Sequence, residues 1–226
     1  MATVQDLVDA VDQLLNLSAT RTALQLNRPT RERAFEAYVF SLVLRAVRQA
    51  GGTVEIKAIL SGTNPNPIVF RGAPGQMSST AQDFAYARCV LAGYAFEVHV
   101  DVEYLGSSGA THEVDVSIYN ADGADRTRMF GALPGVRYLY GAVECKFYDS
   151  TLGTALGRAF VGLVDDCGAL QVKCFATNGQ SNGLARYFTQ GRRPQPFFEL
   201  SPLRPAVESR FVGHVEQALR KWRGIT

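Results

Sequence analysis

Apolar residues at Val4, Leu7, Val8, Val11, Leu14 and Leu15 recur at helical spacing, with Asp6, Asp9, Asp12 and Gln13 between them. That spacing predicts an amphipathic helix over 4–15. Its apolar stripe packs on its own domain or docks on a second subunit or partner protein. Residues 18–30 are polar and read as a connection. Thr30 is placed to cap a second helix whose buried stripe is Phe35, Val39, Leu42, Val43, Ala46 and Val47, with Gly51-Gly52 as its stop. Glu32 and Glu36 lie one turn apart on a flank of that stripe.

The period then changes from helical to two. Val54, Ile56, Ala58 and Leu60 alternate with more polar neighbours, as in a strand. Residues 61–80, rich in Gly, Pro, Asn and Ser, read as a long loop. Phe96, Val98, Val100, Val102 and Tyr104 alternate with Glu97, His99, Asp101 and Glu103. After Gly106-Ser107-Ser108-Gly109 the alternation resumes, with Val114, Val116 and Ile118 on one face and Glu113, Asp115 and Ser117 on the other. Two such runs around a Gly-rich turn predict a β-hairpin. Residues 120–137 read as polar and irregular. Beyond them come a strand over 138–147, a helix over 151–167, a strand over 170–176, a short helix over 184–190, an extended stretch at 197–200 and a last helix over 205–222.

Strand, helix and strand in succession from 138 to 176 imply a parallel pair joined by a right-handed crossover, to which the hairpin adds antiparallel neighbours. The fold class is therefore α/β, a mixed central sheet flanked by helices. We divide the chain into an N-terminal helix and connection over 1–29 and a single domain over 30–226.

Composition narrows the class of function. The chain has 226 residues, 23 Lys+Arg against 21 Asp+Glu, and a formal charge of +2. Any site for a polyanion must come from local clustering of charge. Cys89, Cys145, Cys167 and Cys174 form no CxxC pair and lie in apolar runs, as reduced core thiols do. Met1 to Asp6 lacks the basic start of a secretory signal, and no apolar run approaches the roughly 18 residues that cross a bilayer. A cytoplasmic protein without a membrane partner is the expectation.

Chemistry concentrates at Glu144-Cys145-Lys146. Residues two apart on a strand share a face, so Glu144 and Lys146 point together while Val143, Cys145 and Phe147 face the core. If the hairpin abuts this strand, Asp115 converges on Glu144. Two adjoining carboxylates repel and resist desolvation, and a divalent cation removes both problems. Carboxylate oxygens with waters suit Mg²⁺, and a neighbouring lysine attracts an anionic substrate or acts on the attacking water. An exposed strand end with an ordinary Glu–Lys pair is the competing reading. Glu55-Ile56-Lys57 and Gln171-Val172-Lys173 have similar spacing, but the first has neither the acid-bearing hairpin before it nor the crossover helix after it, and the second begins with Gln.

Glu36 on an early helix, Asp115 on a hairpin strand, and Glu144-Cys145-Lys146 followed by a helix and a strand resemble the PD-(D/E)XK nuclease superfamily, which includes Holliday-junction resolvases and Mrr-type restriction enzymes. The resemblance spans about residues 30–190. It is one of order and spacing, and Val114 stands where the motif has proline. It implies a restriction-endonuclease-like core and a metal-dependent endonuclease acting on DNA, in a bacterial defence, restriction or repair system. Asp115 and Glu144 would bind Mg²⁺, or Mn²⁺ in its place, with the main-chain carbonyl of Cys145. Lys146 would orient the nucleophilic water, and Glu36 would hold a second metal or a metal-bound water. A binding or interaction module of the same fold without catalysis is the alternative.

Several assignments have rivals. Asp101 and Glu113 share the face given to Asp115, and Glu32 competes with Glu36. His99 lies near the metal or is a surface histidine. Arg126 and Arg128, with Arg137, are candidates for phosphate contact, as is the polar loop holding Asn178, Gln180, Ser181 and Asn182. Ser181 or Asn182 as a plain helix cap is the other reading of that loop. Further basic residues gather at Arg186/Arg192/Arg193 and at Arg204 to Arg223.

Overall fold

The computed structural model describes residues 2–15, 22–24, 31–149, 152–191 and 193–225. Thr30 and Arg192 lie outside the described residues. The first half of the chain forms α1 (Val4–Leu15), β1 (Thr22–Leu24), α2 (Arg31–Gln49), β2 (Thr53–Ala58), β3 (Gly62–Thr63), β4 (Ile68–Phe70), β5 (Ala85–Leu91) and β6 (Tyr94–Leu105). The second half forms β7 (Thr111–Asn120), α3 (Ala121–Phe130), β8 (Leu139–Lys146), α4 (Thr154–Cys167), β9 (Val172–Thr177), α5 (Asn182–Phe188), β10 (Gln195–Phe197) and α6 (Pro205–Arg223).

Eight strands make one mixed sheet in the order β10-β9-β8-β7-β6-β5-β2-β3, and β1 pairs with β4 in a separate parallel ribbon. The pairs from β3 to β8 are antiparallel, whereas β8, β9 and β10 run parallel. The β8-α4-β9 crossover is the parallel unit expected from the sequence. Helices cover both faces. Side chains of α1, α2 and α6 pack with Val98, Val116 and Val143 on one face, and side chains of α3, α4 and α5 pack with Val102, Val114 and Phe175 on the other. This is an α/β architecture with a mixed sheet between two helical layers.

Several elements escape the periodicity of the sequence, β5 and α3 the longest of them. β5 was hidden in a stretch of small and mixed residues, yet Ala87, Cys89 and Leu91 are buried and Val90 is exposed. It turns into β6 through Ala92-Gly93, both at positive φ (49° and 76°), the geometry of a two-residue hairpin turn. α3 lies in the segment read as irregular. It carries no apolar stripe, but the Asn120 side chain accepts from the Gly123 N–H at its start and Gly131 ends it at φ 63°. The 61–80 loop likewise contains the short strands β3 and β4, and β1 forms inside the 18–30 connection.

Leu7, Val11 and Leu15 of the α1 stripe are buried within the chain. Leu7 and Val11 have no exposed surface and belong to the same cluster as α2, so each adds about 2 kcal/mol to this core. Val4, Val8 and Leu14 of the same stripe are only half-buried. All four cysteines are buried and free. Among the described residues no helix is long and apolar enough to cross a membrane.

The strand alternation breaks where chemistry was expected. Phe96, Val98 and Val100 join the layer of α2, but Val102 and Tyr104 join that of α4. On β7, Val116 and Ile118 lie with the first group and Val114 with the second. The uniform faces read from the sequence are thus corrected: both strands change face at one level. Asp101, at φ 51°, and Asp115 occupy that level, between the pairs Val100↔Val116 and Val102↔Val114. A non-glycine residue in the left-handed region inside a strand is uncommon and concentrates at functional sites.

Candidate functional site

Asp115 is the centre of the site, and it is buried. The β7–β8 ladder runs only to Val116↔Val143. Beyond that point the Asp115 side chain takes over the role of the neighbouring strand, because its Oδ2 accepts the Cys145 N–H at 2.6 Å. The same oxygen accepts from Lys146 Nζ at 3.2 Å, and Lys146 Nζ lies 2.7 Å from Glu144 Oε1. One ammonium therefore joins the two carboxylates that the sequence reading brought together. For Cys145, the observed contact is made by its amide.

The tightest acidic group is a different set. Oxygen atoms of Glu36, Asp101 and Asp115 all lie within 4.8 Å of one another. Asp101, a rival in the sequence, thus joins Asp115 and Glu36, while Glu144 stands outside this triad on the Lys146 side. Glu32 is exposed, which settles the choice between the two helix acids in favour of Glu36 as the one facing the sheet. Glu113 is exposed as well. His99 is buried rather than superficial, and its ring hydrogen-bonds Glu97 at 2.9 Å. The Glu55–Lys57 pair at 3.4 Å lies on β2, away from these acids across the sheet.

Burial and mutual repulsion set the charge states. Burial, then the Asp101 and Asp115 carboxylates, push the Glu36 pKa up to about 10. Burial and Asp115 raise Asp101 to about 7, and burial and Asp115 raise Glu144 to about 7. Burial works against the Lys146 ammonium, but Asp115 and Glu144 outweigh it and drive its pKa upward. Lys146 is thus a fixed cation and does not take a proton from water. Glu144, titrating near neutrality, is the group suited to do so.

The residues fit a divalent cation. Glu36 Oε2 is buried and has no hydrogen-bond partner, although it belongs to the triad. A buried polar atom left without a partner is costly, and a cation beside it removes that cost as well as the repulsion that raises the carboxyl pKa values. Three carboxylates supply the hard oxygen donors that Mg²⁺ takes.

Beside the triad, a pocket of about 430 Å³ opens between β7, β8 and α4. Asp115, Glu144 and Lys146 line one side, Phe160 and Leu163 the other, and His112 and Glu113 one end.

The proposed phosphate contacts divide. Arg126 is exposed, with its guanidinium 5.1 Å from the Tyr138 ring centre, and remains available. Arg128 does not: it donates twice to Glu97, both at 2.8 Å, and to Asp125 at 2.6 Å. Glu97 is wholly buried and needs that charge, so Arg128 is a structural residue. Asn178 bridges the N–H and carbonyl of Tyr148, at 2.8 and 3.1 Å. Ser181 caps α5, accepting from the Leu184 N–H at 3.3 Å and donating to the Leu152 carbonyl at 2.9 Å. Both side chains hold the loop together, as in the cap reading, and of the four candidates Gln180 and Asn182 are the exposed ones.

No protein-family model matches the chain, no curated protein matches it, and no solved structure matches it.

Proposed function

We propose that the chain is a divalent-metal-dependent nuclease that hydrolyses phosphodiester bonds in DNA, with Mg²⁺ as its natural ion and Mn²⁺ as a substitute. The observation that carries this reading is the position of Asp115. It shares the triad with Glu36 and Asp101, and through Lys146 it is joined to Glu144 at the pocket wall. The chain order supports it too, since the acid-bearing helix, antiparallel strands β6 to β8, crossover helix and parallel β9 follow the arrangement that the resemblance to the PD-(D/E)XK superfamily implies.

In this reading Glu36, Asp101 and Asp115 would hold the ion, which would supply Lewis acidity toward a phosphate oxygen. Lys146, kept cationic by two carboxylates, attracts the phosphodiester and orients a water beside it. Glu144 accepts the proton of that water. The apolar side chains Phe160 and Leu163 form part of the pocket wall. The setting we infer is the cytoplasm, in a defence, restriction or repair system.

A binding module without catalysis has one observation in its favour. Lys146 already supplies positive charge to Asp115 and Glu144 without any metal. Incubation with supercoiled, linear, branched and single-stranded DNA, with and without Mg²⁺, separates the two. Cleavage that requires the ion and vanishes in Asp115→Asn supports the nuclease. Binding of DNA without cleavage under any of these conditions overturns it.

A further inference from the structure

Resting on the nuclease reading, one residue at the end of the pocket remains without a role there. His112, on β7, lines the same pocket as Glu144 and Lys146. Its Nε2 lies 2.5 Å from Asp166 Oδ2 on α4. Asp166 is itself held fast: it accepts from the Ser108 N–H at 2.8 Å and from the Ser108 hydroxyl at 2.7 Å. Gly106 passes directly over the pair. A Cβ there would collide with Asp166 Oδ2 and come within 2.8 Å of His112 Nε2, so the backbone leaves room for this contact only because residue 106 has no side chain. Among the described residues the other ring nitrogen, Nδ1, has no hydrogen-bond partner.

We propose that His112 is the general acid that protonates the leaving oxygen of the phosphodiester, with Asp166 as its positioning residue. A carboxylate that holds one imidazole N–H fixes both ring orientation and tautomer. With Nε2–H committed to Asp166, the proton carried at Nδ1 is the one free to leave. Water forms a bond to phosphorus and gives its proton to Glu144, while the bond from phosphorus to the leaving oxygen breaks. The electron pair of that bond stays on the oxygen, which takes the Nδ1 proton of His112. The neutral ring then regains a proton from solvent, and Glu144 gives its proton up to solvent.

The alternative is that His112 and Asp166 merely staple the hairpin to α4. A DNA substrate with sulfur in place of the leaving oxygen decides, because a thiolate departs without protonation. Expected for both His112→Ala and His112→Asn is a fall in kcat of about 100-fold or more on ordinary DNA. On the sulfur-bridged substrate each variant should keep a rate within about 5-fold of the parent, as general-acid catalysis is no longer needed there. His112→Asn can still donate to Asp166, and its melting temperature should match that of the parent. Equal losses on both substrates, or no loss on either, overturn the proposal. If the parent protein itself cuts neither substrate, the nuclease reading fails first and this inference falls with it.

Discussion

Asp101 and Asp115 face each other across the β6–β7 pair at the level where both strands change the face their apolar residues present. Uninterrupted alternation keeps every second residue on one face. The break lets two buried acids lie within 4.8 Å of each other and of Glu36 on the covering helix. The fold thereby holds three acidic groups together at a cost in burial and mutual repulsion, which raises the pKa values of Glu36 and Asp101, and that cost predicts opposite signs for stability and activity.

Asp101→Asn removes one buried carboxylate from the triad. Without metal it should raise the melting temperature, because repulsion and desolvation are relieved. Activity should fall at least about 100-fold as a ligand is lost. The parent protein should gain about 2.7 kcal/mol of stability when Mg²⁺ is present at 100 times its Kd, and the variant much less. Differential scanning fluorimetry with and without Mg²⁺ reads both signs. A variant that is less stable than the parent without metal, or that responds equally to Mg²⁺, would contradict the assignment.

Lys146 offers the reverse case. Lys146→Ala leaves Asp115 and Glu144 without their shared cation, and removing one partner of a buried ion pair costs about 3 kcal/mol, less here because the lysine is 23% exposed. Urea unfolding should show the loss. Cleavage should disappear while DNA affinity falls only a few-fold, since one phosphate contact among several goes. Lys146→Arg keeps the charge but not the compact ammonium geometry, so it should recover stability without recovering rate.

The pH dependence follows from the raised carboxyls. Asp101 and Glu144 titrate near 7 and Glu36 near 10 in the folded chain, against ordinary values of 3.8, 4.5 and 4.5. Between those limits the folded state binds more protons than the unfolded one, so their contribution to stability is complete below about pH 4 and declines as pH rises. Glu97 acts the other way. Its pKa falls to about 2 because hydrogen bonds from His99 and Arg128 outweigh burial, so its contribution is present above about pH 4.5 and is lost on acidification. Metal-free protein should therefore be most stable in mildly acid solution and lose stability from pH 5 to pH 9. Mg²⁺ should flatten that decline, since ion binding displaces the same protons. Thermal melts across that range check both slopes.

Periodicity carried much of this site. Helical spacing put Glu32 and Glu36 one turn apart on the same flank of the α2 stripe, and strand spacing put Glu144 and Lys146 on one face. Asp115 was legible as a hairpin acid. Its preference over Asp101 was not, because the two sit opposite each other and both are buried; the triad needs both. The change of face at Asp101 left no trace in a run of alternating valines. α3 was hidden because a helix with few apolar residues is marked only by its cap and stop. His112 and Asp166 meet only once α4 lies across the hairpin, a relation that no local spacing encodes. Arg128 looked like a phosphate contact because its partner, Glu97, appeared to lie on a solvated face.

That last relation gives a prediction for DNA binding. Arg126 and Arg137 are exposed, with guanidinium groups 5.1 and 4.4 Å from the ring centre of Tyr138, so both charges face solvent beside one aromatic ring. Changing either to Ala should weaken binding uniformly across sequences and reduce the slope of log affinity against log salt by about 1, as loss of a single phosphate contact does. Arg128→Ala should leave that slope unchanged. It should instead destabilise the chain by about 3 kcal/mol, because Glu97 stays buried with Arg88 and His99 as its remaining partners. Salt-dependent filter binding and urea unfolding on the three variants separate surface contacts from the internal ion pair. A steeper loss of affinity in Arg128→Ala than in Arg126→Ala, with unchanged stability, would return Arg128 to the binding surface.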